Sequence, residues 1–193
     1  MQGNRTKISV MPQLTSEDRA FLTGHLSQSR DLLLGEIADL RPDQWIFRPD
    51  DETWSIAECA DHIVTIEKRV FSMVSKHMQT AAPDPQRAAE VQKKTPWILE
   101  AVPSRHARVK VPPGIENTSH SATPQEFADL FGERRGALLK YVSETQDAMH
   151  DRVSPHMIFK DLDGCQWLLM ISLHSQRHAA QIAEVKAHPA YPK

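Results

Sequence analysis

A chain of 193 residues, 40% hydrophobic and 25% charged, has the balance of an ordinary soluble globular protein and enough length for one domain, residues 1–193, with a sizeable core. A formal net charge of -2 without a dense basic run excludes a nucleic-acid surface, and no apolar run approaches the ~18 residues of a membrane span. Two cysteines, Cys59 and Cys165, fit no CxxC spacing, which excludes a disulfide framework and leaves reduced thiols in a cytoplasmic protein as the simpler expectation.

Residues 1–13 read as a polar tail without the apolar centre of a signal peptide. The first long helix opens at Thr15, an N-cap followed by Glu17 and Asp18 at the positive helix end. Its inner face runs Leu22, Leu26, Ser29, Leu33, Ile37, Leu40, and Pro42 stops it. The second opens at Ser55, with Glu58 completing a capping box and Trp54 placed to staple against Cys59. The stripe Cys59, Ile63, Ile66, Val70, Met73 carries it to about Met78. Glu67, off that stripe, reads as a solvated charge.

Residues 79–122 hold Pro83, Pro85, Pro96, Pro103, Pro112 and Pro113, with one short helical candidate from Arg87 to Lys94. So long a connection suits a crossover that joins two parallel helices of a bundle. Arg108 to Val111 is the only strand candidate. Thr123-Pro124-Gln125-Glu126 then combines an N-cap, a proline at the first helical position and a capping-box glutamate. Phe127, Leu130, Phe131, Leu138 and Tyr141 line the inner face of this third helix. The fourth starts near Asp163-Gly164 and runs to about Lys186, ended by Pro189. Its stripe of Trp167, Leu168, Ile171, Ile182 and Val185 is interrupted on the inward side by His174 and His178. The expected fold is all-α, a four-helix bundle with a long crossover between its second and third helices.

Residues four apart share one helix face, so His174 and His178 can grip one ion. A pair of this kind also arises by chance in a chain with ten histidines, and a lone inward histidine is more often a hydrogen-bonded core residue. Two imidazoles in an apolar stripe nevertheless need partners, which a shared metal supplies. His62, on the shoulder of the second helix's buried face, is the third candidate ligand. Serine follows His174 where an HExxH protease carries its general base, which disfavours a peptidase. Arg177 and Gln181 flank the pair and suit contact with a substrate carboxylate, although helix-edge residues need no such role. Glu58 could orient His62, but its cap role already accounts for it. His25 is a reserve candidate for the pocket. His77, His106, His120, His150, His156 and His188 read as surface, Trp45, Trp54, Trp97 and Trp167 as core or loop anchors, and Cys59 as pointing away from His62.

Trp54-Ser55-Ile56-Ala57-Glu58-Cys59-Ala60-Asp61-His62-Ile63, joined to His174-x-x-Arg177-His178-x-x-Gln181-Ile182, resembles the DinB/YfiT superfamily, in particular its DinB_2 branch. The run from Leu40 to Pro49 resembles the family's entry into the second helix. The likeness covers roughly residues 15–78 and 150–186. It implies a four-helix bundle, a divalent-metal site (zinc or nickel) made by His62, His174 and His178, and a homodimer. It also implies a reaction in which the metal activates a low-molecular-weight thiol such as bacillithiol, mycothiol or glutathione for transfer to a small electrophile. The segment Ser154 to Phe159 departs from the family's usual His-Pro turn, and Lys160 stands where glycine is common. Two alternatives stay open beside a thiol transferase: a non-catalytic stress protein binding a metal or small ligand, and a metal-dependent hydrolase.

Overall fold

The computed structural model describes residues 12–106 and 122–193. Helix α1 spans Ser16–Ile37 and begins at the capping box expected of it. Thr15 Oγ1 accepts the Asp18 N–H at 3.1 Å, and the Asp18 carboxylate accepts the Thr15 N–H at 2.8 Å. A short helix α2, Pro42–Trp45, drops Trp45 into the core. Helix α3, Ile56–Ser72, is capped by Ser55 and continues through a π-helical turn, Met73–His77, into α4, Met78–Thr80. Together they fill the span expected of the second long helix.

The crossover holds more helix than its prolines suggest. Helix α5 covers Pro85–Gln92 and α6 covers Thr95–Ala101. Pro85 and Pro96 both sit in a first turn, where a missing N–H costs nothing, so these prolines start helices inside the connection. Helix α7, Pro124–Glu144, begins where Thr123 Oγ1 accepts the Glu126 N–H at 3.2 Å.

A small hairpin was not expected. Strands β1, Val153–His156, and β2, Lys160–Asp163, pair antiparallel with His156 opposite Lys160. Strands this short show no alternation to read. Lys160 follows the three-residue loop with φ 57°, the left-handed position that such loops require and glycine fills most easily. The strand candidate Arg108–Val111 and His120 lie outside the described residues, as does most of the N-terminal tail.

Helix α8, Gly164–Lys186, starts at Asp163, whose Oδ1 accepts the Gln166 N–H at 2.7 Å. Gly164 is dictated by close approach: a Cβ there would lie 2.7 Å from Met149 Sδ and 3.1 Å from its Cα. His150, read as surface from sequence, is instead half-buried between the two helix starts. Its Nδ1 lies 3.2 Å from Asp163 Oδ2 and its Nε2 lies 3.1 Å from Asp18 Oδ2. Burial opposes charge on this ring, but the bonds to Asp163 and Asp18 outweigh it and raise its pKa.

Helices α1 and α3 each pack against both α7 and α8, which gives the bundle order α1, α8, α3, α7. Contacts between α3 and α7 advance together along both chains: Arg134 reaches the Val64 carbonyl, Arg135 meets Glu67, and Phe71 packs on Tyr141. The two helices therefore run parallel, as the crossover requires. Buried apolar residues form two clusters, one around Leu22, Leu26, Leu138 and Leu169, the other around Leu33, Ile63, Phe127 and Ile182.

A polar layer separates them. Arg135, fully buried, donates from Nε and Nη2 to both oxygens of Glu67 at 3.2 and 2.7 Å, from Nη1 to the Leu26 carbonyl and Ser29 Oγ at 2.8 and 2.7 Å, and from Nη2 to Ser175 Oγ at 3.0 Å. Its guanidinium also lies 4.8 Å from the Phe131 ring centroid. All four bundle helices meet there. Glu67, expected to be solvated, is 4% exposed because this cation draws it inward.

Candidate metal centre

His62 comes from α3 and His174 and His178 from α8, the two helices whose packing brings their histidine-bearing faces together. Ring centroids are separated by 5.1 Å for His62–His174, 5.0 Å for His62–His178 and 4.5 Å for His174–His178. One nitrogen from each ring lies within 4.8 Å of the other two, so the three side chains could hold a metal ion. The Nε2 atoms of His174 and His178 are 3.1 Å apart. Two nitrogens bound tetrahedrally at about 2.0–2.1 Å sit roughly 3.3 Å from each other, so the spacing fits a common cation.

The protonation state fits too. Burial first, then the neighbouring His62 and Arg177, brings the His174 pKa down to about 3. Burial and the other two histidines push His178 well below its ordinary value. Both rings are therefore neutral at physiological pH, which is the form that binds metals. His178 Nδ1 lies 3.0 Å from Gln181 Oε1, an acceptor, so the ring proton sits on Nδ1 and Nε2 keeps its lone pair for the interior of the triad. The same Gln181 oxygen accepts from Arg105 Nη1 at 3.3 Å, while Arg105 grips Glu184 with Nε and Nη2 at 3.1 and 2.8 Å.

The triad opens on a cavity of about 1380 Å³ whose walls include Trp54, Trp97, Trp167, Arg105, Arg177 and His156. Trp54 sets its edge against His62 at 5.0 Å and lies nearly parallel to His178 at 6.1 Å. Of the residues expected at the site, His62, His174, His178, Arg177 and Gln181 all border this cavity. Glu58 does not. Its carboxylate accepts the Ser55 N–H at 2.7 Å and lies 3.5 Å from Arg48 Nε. His25 is packed on Phe21 at 4.6 Å, away from the cavity lining. Cys59 is fully buried in the core, and that burial pushes its thiol up to about 12.

Three cavity histidines, His106, His156 and His188, were read as surface, and Trp54 and Arg105 were not recognised as site residues. Trp54 carries one usable signal, its place immediately before the cap of the helix that bears His62. A second close group, Asp18, His150 and Cys165, offers a poorer ligand set. Both His150 nitrogens already face carboxylates, and burial holds the Cys165 thiol well above its ordinary value.

A sequence model described as the DinB superfamily matches residues 25–182. The chain belongs to the DinB superfamily. It is 25% identical over 151 residues to an uncharacterized protein, YuaE, of Bacillus subtilis (strain 168), a match covering 78% of this chain and 88% of that protein. No solved structure matches the chain at a significant level. The matched DinB region takes in all three histidines of the triad and both helices that carry them. Among the described residues of this DinB protein, no helix is long and apolar enough to cross a membrane.

Proposed function

We propose that His62, His174 and His178 hold a divalent metal ion, zinc or nickel, and that the protein is a metal-dependent transferase using a low-molecular-weight thiol on a small electrophile. The observation that carries this reading is the convergence of three imidazoles at the wall of a large cavity, with His174 and His178 held neutral by their surroundings. A divalent ion held by these three imidazoles would supply Lewis-acid activation of a thiol. The chain's own residues do the rest. Gln181 keeps the His178 proton on Nδ1 and so keeps Nε2 available. Arg177, partly buried at the cavity wall, is suited to pair with a substrate carboxylate in fork geometry. Trp54, Trp97 and Trp167 give apolar surface that limits water around the reacting groups. A cytoplasmic homodimer belongs to the same proposal, and light scattering of the purified protein tests its oligomeric part.

The deciding experiment measures metal content and thiol transfer to an electrophile such as monobromobimane, in the native protein and in His178→Ala. The native protein should carry about one ion per chain, and the variant should lose both metal and turnover together. Full turnover without metal refutes the mechanism. Stoichiometric metal with no transfer from any of the three thiol types refutes the transferase assignment.

A further inference from the structure

The triad does not exhaust the cavity's chemistry. His156 ends β1 and folds its ring back on its own turn, where Nδ1 accepts the N–H groups of Ile158 at 3.1 Å and Phe159 at 3.2 Å. A nitrogen that accepts two N–H bonds cannot carry a proton, so in the neutral ring the proton is on Nε2. The ring is wedged between Phe159 and Trp167, at centroid distances of 5.2 and 5.0 Å, which fixes the direction of its free edge. His156 lines the cavity of the triad, and no hydrogen bond engages its Nε2 among the described residues. His156 is not one of the histidines close enough to share an ion.

We propose that His156 Nε2–H is a fixed hydrogen-bond donor for an oxygen of the cavity's occupant, a carbonyl or carboxylate oxygen carried by the thiol substrate. Only the nature of the occupant rests on the function proposed above. Burial lowers the ring's basicity, so the ring stays neutral at physiological pH, and the two turn N–H groups occupy the lone pair of Nδ1. It selects thiols bearing an oxygen acceptor over bare aminothiols, because only the former gain a hydrogen bond from this positioned donor.

The test uses His156→Asn and His156→Gln. Asparagine can place an oxygen where Nδ1 sits and keep both turn N–H bonds, while nothing reaches the Nε2 position; glutamine carries an amide N–H out to that position. Zinc-loaded protein is titrated calorimetrically with N-acetylcysteine, which has both oxygen acceptors, and with cysteamine, which has neither. His156→Asn should bind N-acetylcysteine roughly tenfold more weakly, with cysteamine affinity, zinc stoichiometry and thermal midpoint unchanged, and His156→Gln should recover part of the loss. Unchanged affinity for N-acetylcysteine, or an equal loss for cysteamine, overturns the inference.

Nitrogen-15 spectra of the histidines provide a readout that needs no variant. His156 should be protonated at Nε2 and bare at Nδ1, with its Nε2 resonance shifted by N-acetylcysteine. A proton on Nδ1, or a resonance that does not move, overturns the inference even if the variants fail to fold. Native protein that binds neither zinc nor nickel would refute the function proposed above, and the His156 donor would then be judged by that shift in the metal-free protein.

Discussion

Replacing Arg135 with methionine would remove the cation at the centre of the polar layer and leave the Glu67 carboxylate buried at 4% exposure. Five hydrogen bonds vanish with it, two of them to that carboxylate. Ser29 and Ser175 fall back on the Leu26 and Ile171 carbonyls, which they already reach at 3.2 and 3.0 Å, so most of the loss falls on Glu67. Breaking a buried pair from one side costs about 3–5 kcal/mol, much of the ~5–15 kcal/mol that holds a domain folded. For a chain of this length that corresponds to a fall in Tm on the order of 10 °C. Urea unfolding followed by circular dichroism, with calorimetry alongside, measures it. The companion variant Arg135→Met/Glu67→Leu removes both charges and should return to within about 1 kcal/mol of the native protein, because the desolvation cost disappears with the charges. A single variant within about 1 kcal/mol of native, or a double variant as unstable as the single, would refute the reasoning.

Stability should also depend on His150. Its folded-state pKa is raised, so the contribution is complete below the unfolded value of about 6.5 and fades as pH climbs through the folded value. The stability difference between native protein and His150→Gln in urea should therefore shrink from pH 6 to pH 8.5, and a difference that grows would contradict it. Lys160→Gly should stabilise the hairpin by about 0.5–1 kcal/mol, since glycine occupies the left-handed φ of 57° without strain; thermal denaturation reads the gain, and a loss would contradict the turn assignment. Cys59 and Cys165, with thiols pushed up by burial, should react with Ellman's reagent only slowly in the folded protein and fully in denaturant. Fast native labelling of Cys59 would contradict its place in the core.

What the sequence could and could not disclose follows from the range of the forces involved. Thr15, Ser55, Thr123 and Asp163 announce their helices through bonds closed within three residues, so each start is visible locally. The spacing of His174 and His178 is equally local, and the place of His62 on the shoulder of the second helix's buried face, with the family resemblance behind it, pointed to their partner. Arg135 and Glu67 were missed because their partners lie 68 positions apart, and charge alone predicts exposure for both. Pro96 misled because one residue type both ends and begins helices, a choice settled by the packing of Ile98 into the core. His156 shows no sequence signal, since its role depends on a turn of three residues folding back over Trp167.

The layer around Arg135 also bears on how the triad is aligned. Ser175 is the residue next to His174, and Glu67 lies on the same helix as His62 and just over one turn beyond it. Sliding α8 by one turn, about 5.4 Å, would pull Ser175 off the guanidinium and His174 off His62 in the same movement. Greasy surfaces alone tolerate such slippage, whereas a forked cation with five fixed hydrogen bonds to four residues admits a single notch. The three histidines thus inherit their axial setting from residues that lie outside the cavity wall, and core substitutions at that level should disturb the triad's spacing without touching a histidine.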